Sequence, residues 1–372
     1  MQKNWICLGL MSGTSGDGVD ASIINTNGIN HFELIKDEYY EYDLKIYKDI
    51  HNLKEKIHKA EHLKTFSKEI DRLEREITIF QAKIIKKINL DNNAIIGFHG
   101  QTIYHNPKEK ISKQLGNAKL LNQLTNKTVV FNFRKNDILN GGQGAPLTPI
   151  FHQLLALRQQ LELPVCFLNI GGISNITIVY DENDPTKLYS RDIGPGNCLI
   201  DSWVRANTNK KYDLNGQIAL SGTKNEIIFE QAQELYMNRD NKKKMSFDTN
   251  DFDISFIRGL NFEDGVTTLT DFTASIIGEE LSLSLKKSKK EITEILLCGG
   301  GRKNKALIKK IKENLPKNID LKLIDKYRID GDFIESQAFA FLAARSFLQL
   351  PISFPGTTGC EKPCLGGELV EN

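Results

Sequence analysis

Apolar positions along the chain come in short blocks separated by turn-forming residues, which predicts strands. Trp5 to Leu10 is one block and Val19 to Ile24 another, joined by the small, polar stretch Met11-Ser12-Gly13-Thr14-Ser15-Gly16-Asp17-Gly18. Asn27-Gly28 then signals a further hairpin into His31 to Ile35. The pattern recurs at Val165 to Ile170, followed by Gly171-Gly172-Ile173-Ser174-Asn175 and the block Ile176 to Tyr180. Two hairpins of one kind, about 160 residues apart, predict two related halves. Residues 60–89 change the period: Leu63, Phe66, Ile70, Leu73, Ile77, Phe80 and Ile84 recur at three- and four-residue spacing, as one face of a helix requires. Ala94 to Phe98 and Thr128 to Phe133 read as strands. Ile292 to Cys298 reads as strand, Gly299-Gly300-Gly301 as turn and Lys303 to Asn314 as helix. The alternation predicts an α/β chain of two lobes, 1–150 with a helical insertion at about 43–90, and 151–372, hinged near residues 135–160.

Composition narrows the partners. A chain of 372 residues, 40% hydrophobic, buries a core of two-domain size. Its 49 basic and 47 acidic residues are too balanced for a duplex-binding or anionic-membrane protein, so small ligands are expected, with no nucleic acid and no membrane. Lysines cluster at Lys242 to Lys244 and at Lys286, Lys287, Lys289 and Lys290, but no aromatic residues interleave them, and they read as solvated helix ends. The six cysteines form no Cys-x-x-Cys pair, and Cys7, Cys166 and Cys298 sit in apolar, strand-like runs. With a short apolar amino-terminal run that ends in a Gly and Ser turn, this predicts a cytoplasmic protein.

The glycine turns carry the candidate chemistry. A turn of Gly, Ser and Thr points backbone N–H groups and hydroxyls at one anion, and phosphate is the natural occupant. Asp17 within Gly13-Thr14-Ser15-Gly16-Asp17-Gly18 would repel phosphate unless a divalent cation stood by, which implies Mg²⁺. No Gly-x-x-x-x-Gly-Lys-Ser/Thr occurs, and Gly16-x-Gly18-x-x-Ala21 opens a strand rather than the helix a dinucleotide fold needs. Gly171 and Gly172 offer a second small turn for phosphate. Gly299, Gly300 and Gly301, ahead of Asn304, give a flat surface for an adenine ring. Asp192, before Gly194-Pro195-Gly196-Asn197, is the candidate base for an acceptor hydroxyl; the alternative is a carboxylate that caps its own turn. His99 in His99-Gly100-Gln101-Thr102, and Arg134 and Asp137 in Asn132-Phe133-Arg134-x-x-Asp137, fall at strand ends and are candidate substrate contacts. His99 and His105 lack a third ligand at useful spacing, so zinc is not expected there. Gly141 to Pro146 reads as a mobile loop. Glu335 heads a helix of small residues, facing substrate or answering the helix dipole.

Taken in order, Gly13-Thr14-Ser15-x-Asp17-Gly18-x-Asp20, Gly97 to Thr102, Asn132-Phe133-Arg134, Asn169 to Asn175, Asp192-x-Gly194-Pro195-Gly196-Asn197 and Cys298 to Gly301 resemble the signature set of the anhydro-N-acetylmuramic acid kinases. The resemblance covers nearly the whole chain. It implies two ribonuclease-H-like lobes of the actin, hexokinase and acetate kinase kind, an active-site cleft between lobes, a homodimer, and an ATP- and Mg²⁺-dependent reaction on an amino sugar of cell-wall recycling. It further implies that Gly13, Thr14, Ser15, Gly16, Asp17, Gly18, Val19 and Asp20 form the ATP phosphate loop and that Asp192 activates the attacking water. His99, Arg134, Asp137 and Glu335 would be sugar contacts. Three departures stand out: Gly16 for a larger apolar residue, Ile193 for a small hydroxyl residue, and Cys360 after Thr357-Thr358-Gly359. Two other readings remain open at this stage, a kinase of another sugar or polyol and a non-catalytic nucleotide-binding relative of actin.

Overall fold

The first apolar block forms β1 (Trp5–Ser12), which pairs antiparallel with β2 (Gly18–Thr26), and β2 pairs antiparallel with β3 (Phe32–Glu41). The β3 to β4 connection holds α1 (Leu44–Lys56), α2 (Ala60–Thr65) and α3 (Ser67–Ile88). The single helix expected over 60–89 is broken at Phe66, whose φ of −100° and ψ of 20° leave the helical range while its ring packs on the core. Strand β4 (Ile95–Asn106) lies parallel to β1, turns back through β5 (Ile111–Leu115), and is followed by α4 (Ala118–Thr125) and β6 (Val129–Phe131), parallel to β4. The sheet therefore reads β6-β4-β1-β2-β3 along its main path.

The structure is a computed structural model that describes residues 3–238, 246–288 and 290–371. Lys242 to Lys244 and Lys289 thus lie outside the described residues. Helices α5 (Lys135–Leu139) and α6 (Pro149–Arg158) occupy the span read as a hinge. The second sheet follows: β7 (Val165–Ile170), β8 (Ile173–Val179) and β9 (Leu188–Pro195), then α7 (Cys198–Asn207), α8 (Glu226–Met237), α9 (Phe262–Leu285), β10 (Glu294–Cys298), α10 (Lys305–Glu313) and β11 (Asp320–Leu323). Its order is β11-β10-β7-β8-β9, with β7 and β8 antiparallel and β7, β10 and β11 parallel. Every residue of β7 is buried, as a central strand covered on both faces demands. The two sheets repeat one topology, the ribonuclease-H-like arrangement found in the actin, hexokinase and acetate kinase fold.

After β11 the chain forms α11 (Ile334–Phe347), α12 (Pro355–Thr358) and β12 (Glu368–Val370), which pairs antiparallel with β6. Contacts divide the chain into unit 1, Met1–Leu161 with Asp181–Tyr189 and Phe333–Asn372, and unit 2, Glu162–Tyr180 with Ser190–Asp332. This differs from a division in chain order at residue 150, because 333–372 belongs with the first sheet. The reason is steric. A Cβ added at Gly9 of β1 would stand 1.9 Å from the Ser336 carbonyl oxygen, and one at Gly97 of β4 2.3 Å from that of Phe339. These glycines let α11 lie flat on the strands, and a bulkier residue would push it off. No helix among the described residues is long and apolar enough to cross a membrane.

Candidate active site

In unit 1 the β1–β2 turn is fixed from outside by side chains. Gly16 N–H closes it onto the Gly13 carbonyl at 3.1 Å, and Gly16 has φ of 61°, a left-handed conformation that accounts for glycine at this position. Buried Gln101 donates through Nε2 to the Gly13 carbonyl at 3.0 Å and accepts from Ser12 Oγ at 2.7 Å. From α1, Lys54 Nζ donates to the Thr14 carbonyl at 2.7 Å and His51 Nε2 to that of Ser15 at 2.9 Å. With its carbonyls turned toward these donors, the loop leaves Gly13 facing open space: a Cβ there would meet nothing within 4 Å. Ser15 Oγ donates to Asp17 at 2.5 Å. The Tyr39 hydroxyl is pushed well above its usual range, first by burial and then by Asp17, Glu41 and Asp20, so three carboxylates gather around it.

The strand register brings a second group beside this loop. Ser12 lies opposite Gln101, so His99 sits two residues before the loop's own partner. Its place corrects the expectation of a strand end: β4 continues to Asn106 because β5 extends the pairing. His99 Nδ1 bonds the Gly100 carbonyl at 2.8 Å, and Nε2 accepts from Arg134 Nη2 at 2.8 Å, which fixes one neutral tautomer. Burial, and then the Arg134 charge, hold its pKa well below 6.5. Arg134 Nη1 donates to the Gly144 carbonyl at 2.7 Å. Glu335, in the first turn of α11, has its carboxyl pKa raised by burial against the opposing pull of Arg134.

Asp137 is different. It is 1% exposed, and its oxygens accept from Ser353 Oγ at 2.5 Å, Thr358 Oγ1 at 2.6 Å and the Gly144 N–H at 2.6 Å. It also supports its neighbours: Asp137 fixes Gly144, and Gly144 holds Arg134. The loop Gly141 to Pro146 is likewise tied down, with Gly142 N–H on the Asp137 carbonyl and Gln143 N–H on that of Thr358.

In unit 2 the glycine turns are held chiefly by main chain, with the Asn197 side chain adding one bond, from Nδ2 to the Gly171 carbonyl at 3.2 Å. The Gly171 carbonyl accepts from Asn197 N–H at 2.8 Å, and the Gly172 carbonyl from Gly196 at 2.9 Å and Cys198 at 3.2 Å. A Cβ at Gly196 would stand 2.2 Å from the Gly171 oxygen; one at Gly301 would meet Ile170 at 2.3 Å and Asn197 at 2.8 Å. The two turns read separately from the sequence are therefore neighbours across the sheet edge. Gly299 has φ of 77°, and Gly300 faces open space. Asn304 is the N-cap of α10, its Oδ1 accepting from Leu307 N–H at 3.0 Å. Asp192 is 5% exposed and accepts at Oδ2 from Phe247 N–H at 2.7 Å. That donor lies 55 residues further along the chain.

The anhydro-N-acetylmuramic acid kinase family model matches residues 5–371. The chain belongs to this family. An anhydro-N-acetylmuramic acid kinase of Pelagibacter ubique is 54% identical over 375 residues, covering all of both chains. One of Zymomonas mobilis is 37% identical over 384 residues, covering 98% of this chain and 99% of that one. Among solved structures, the (R)-2-hydroxyglutaryl-CoA dehydratase component A of Acidaminococcus fermentans aligns at TM-score 0.45 and 10% identity over 92% of this chain and 98% of that one, too remote a likeness to speak to the site. In this kinase-family chain, sequence reasoning passed over Gln101 as an anchor and missed His51 and Lys54 altogether. The available signal was their spacing: three residues apart, they share one face of α1.

Proposed function

We propose that the chain opens the 1,6-anhydro ring of anhydro-N-acetylmuramic acid with water and transfers the γ-phosphoryl group of ATP to the freed O6, yielding N-acetylmuramic acid 6-phosphate and ADP in peptidoglycan recycling. One observation carries this reading: the family match runs from residue 5 to 371 and so includes both glycine-turn clusters and Asp192. Asp192 takes a proton from water as the hydroxide oxygen bonds to the anomeric carbon. The C1–O6 bond breaks, O6 bonds the γ-phosphorus, and the bond from that phosphorus to the β–γ bridging oxygen breaks, releasing ADP. Burial of Asp192, with Oδ2 accepting from the Phe247 N–H, suits a base held in place to take up a proton.

Residues 13–20 and the turn Gly171-Gly172 take the phosphates, and Gly299 to Gly301 with the Asn304 amide take adenosine. Arg134, Glu335 and, through Arg134, His99 contact the sugar. The open side of Gly13 gives room for a phosphate oxygen against backbone. Asp17 and Asp20, drawn together near Tyr39, are hard oxygen donors of the kind Mg²⁺ prefers, and they are the residues that would hold it. When bound, the ion neutralises phosphate charge and aligns the γ-phosphoryl group. We further read the enzyme as a cytoplasmic homodimer; its six cysteines are free and buried, as a reducing compartment allows. Mass spectrometry of the product tests the reaction. The expected product carries both one water and one phosphoryl group more than the anhydro sugar, and a product with phosphate alone would overturn the ring-opening step.

A further inference from the structure

A second cluster of potential ligand atoms lies in unit 1 behind the sugar-contact residues, and the kinase reaction makes no use of it. Cys360 Sγ, Cys364 Sγ and a carboxylate oxygen of Asp137 all lie within 4.8 Å of one another. The three residues are 2%, 3% and 1% exposed. Donor atoms on a tetrahedral zinc, with Zn–S at about 2.3 Å, stand about 3.8 Å apart, so only a small inward movement would let all three reach one ion. We propose that Asp137, Cys360 and Cys364 form a binding site for a soft-to-borderline divalent cation, Zn²⁺ in the first place.

Three features of the site favour this. The carboxylate is already oriented: Ser353 and Thr358 hydroxyls occupy Oδ1, while Oδ2 accepts only the Gly144 N–H and keeps a lone pair. All three hydrogen-bond donors to Asp137 are neutral, and no ion pair to it is found among the described residues, so a cation there would meet no competing positive side chain on the carboxyl. The segment is also pinned at the right places, since Cys364 N–H bonds the Ser353 carbonyl at 2.9 Å and Ile352 N–H bonds that of Cys364 at 2.8 Å, while Glu361 N–H bonds the Asn140 carbonyl at 3.1 Å. Two thiolates and one carboxylate select zinc over magnesium or calcium, and leave one tetrahedral position for water. Binding exchanges one cation for the two thiol protons, one of which now reaches the Lys362 carbonyl from Cys364 Sγ at 3.1 Å. The ion would staple the 353–364 segment to α5, and through Asp137 and Gly144 it would steady Arg134.

The test uses the whole untagged chain, stripped with chelator and reductant, given one equivalent of Zn²⁺ and desalted. About one zinc per chain is expected to remain, and Cys360→Ser and Cys364→Ser are each expected to weaken zinc binding by at least about tenfold. Co²⁺ in place of zinc is expected to give a thiolate-to-cobalt charge-transfer band in the unmodified chain, a readout that stands even if a variant fails to fold. Retention of zinc by a Cys360→Ser, Cys364→Ser double variant as by the parent would overturn the proposal. So would a parent chain that keeps no zinc and shows no cobalt band, whether its mass shows all six thiols reduced, a hydrogen-bonded pair, or lacks two hydrogens, a Cys360–Cys364 disulfide. None of these outcomes depends on sugar phosphorylation, so failure here leaves the kinase reading untouched.

Discussion

The two units build one strand order, β6-β4-β1-β2-β3 and β11-β10-β7-β8-β9, yet they hold their glycine turns in opposite ways. In unit 1 the loop after β1 is anchored by side chains: Gln101, His51 and Lys54 each take a backbone carbonyl. In unit 2 the turn after β7 is anchored chiefly by main chain, through N–H groups of Gly196, Asn197 and Cys198 with one added bond from the Asn197 side chain, and no Cβ fits at the crossing. A repeated scaffold therefore does not imply repeated chemistry. One copy presents a loop that side chains can tune, and the other a rigid turn that tolerates nothing larger than hydrogen.

The sharpest way to break the comparison is through the third strands. In unit 1, Asp37 of β3 accepts from Ser22 Oγ at 2.5 Å and Gln337 Nε2 at 2.9 Å, as a structural carboxylate does. In unit 2, Asp192 of β9 is assigned the base. Asp192→Asn is expected to lower kcat by about 10²–10⁴, with ATP affinity measured by calorimetry almost unchanged, whereas Asp37→Asn leaves kcat within about threefold. Equal losses from both would remove the distinction.

Next in size is the pair Gly196→Ala and Gly13→Ala. The first drives a methyl into the Gly171 and Gly172 carbonyls at 2.2 and 3.2 Å, backbone atoms that cannot step aside, and about 2–4 kcal/mol of stability is expected to be lost. The second puts its methyl in open space, so the melting temperature should hold while KM for ATP rises about tenfold, because the methyl takes the phosphate's room. Thermal unfolding and KM together separate the two. If Gly196→Ala melts like the parent, the main-chain anchor is not what holds unit 2's turn.

Acid should also tell the units apart, since all seven histidines lie in residues 31–152 of unit 1. Burial pushes the His152 pKa down to about 3, and burial with Arg134 lowers that of His99. Each is depressed in the folded chain, so its contribution is intact above about pH 6.5 and is lost as pH falls from there toward the folded value. For His152 alone this amounts to roughly 2 kcal/mol at pH 5. Glu335 acts in the opposite sense, its raised pKa making the folded chain the better proton binder from about pH 4.5 upward, but it is one group against two. Trp5 lies in unit 1 and Trp203 in unit 2, and they are the two tryptophans of the chain. Single-tryptophan variants are expected to show the Trp5 transition moving down between pH 7 and 5 while the Trp203 transition stays; a common shift would refute the asymmetry.

The strand–turn–strand repeats were legible because period-two apolar blocks bounded by Gly and Asn are local signals, and the helix read over Lys303 to Asn314 falls on α10, though its Asn304 cap was not foreseen. What escaped was set by distance. Asp137 is claimed by Ser353 and Thr358 from more than two hundred positions away, and nothing near residue 137 announces it. The return of α11 to the first sheet is equally remote, though Gly9 and Gly97 inside apolar strands were its trace: a strand interior has no use for glycine unless something presses on it. His99-Gly100-Gln101-Thr102 reads as a strand end because Gly100 interrupts the block, yet Gly100 has φ of 76° and sits against the Leu115 carbonyl, so the glycine serves the β4–β5 pairing instead of ending the strand.

The smallest expected effect tests the side-chain half of the comparison. Lys54 is half-buried but its hydrogen bond to the Thr14 carbonyl is open to water, and there it is worth about 1 kcal/mol at most, because solvent competes for both partners. Removing it by Lys54→Met keeps the aliphatic stem of the side chain and deletes only the ammonium. If that bond helps hold the loop for phosphate, KM for ATP should rise about twofold to fivefold with KM for the sugar unmoved, and added salt should narrow the gap because it screens the parent's charge and has nothing to screen in the variant. A KM for ATP that does not change, or one that changes together with the sugar's, would mean that the loop keeps its shape through Gln101 and the Gly13–Gly16 bond alone. The tuning role of α1 would then fall away.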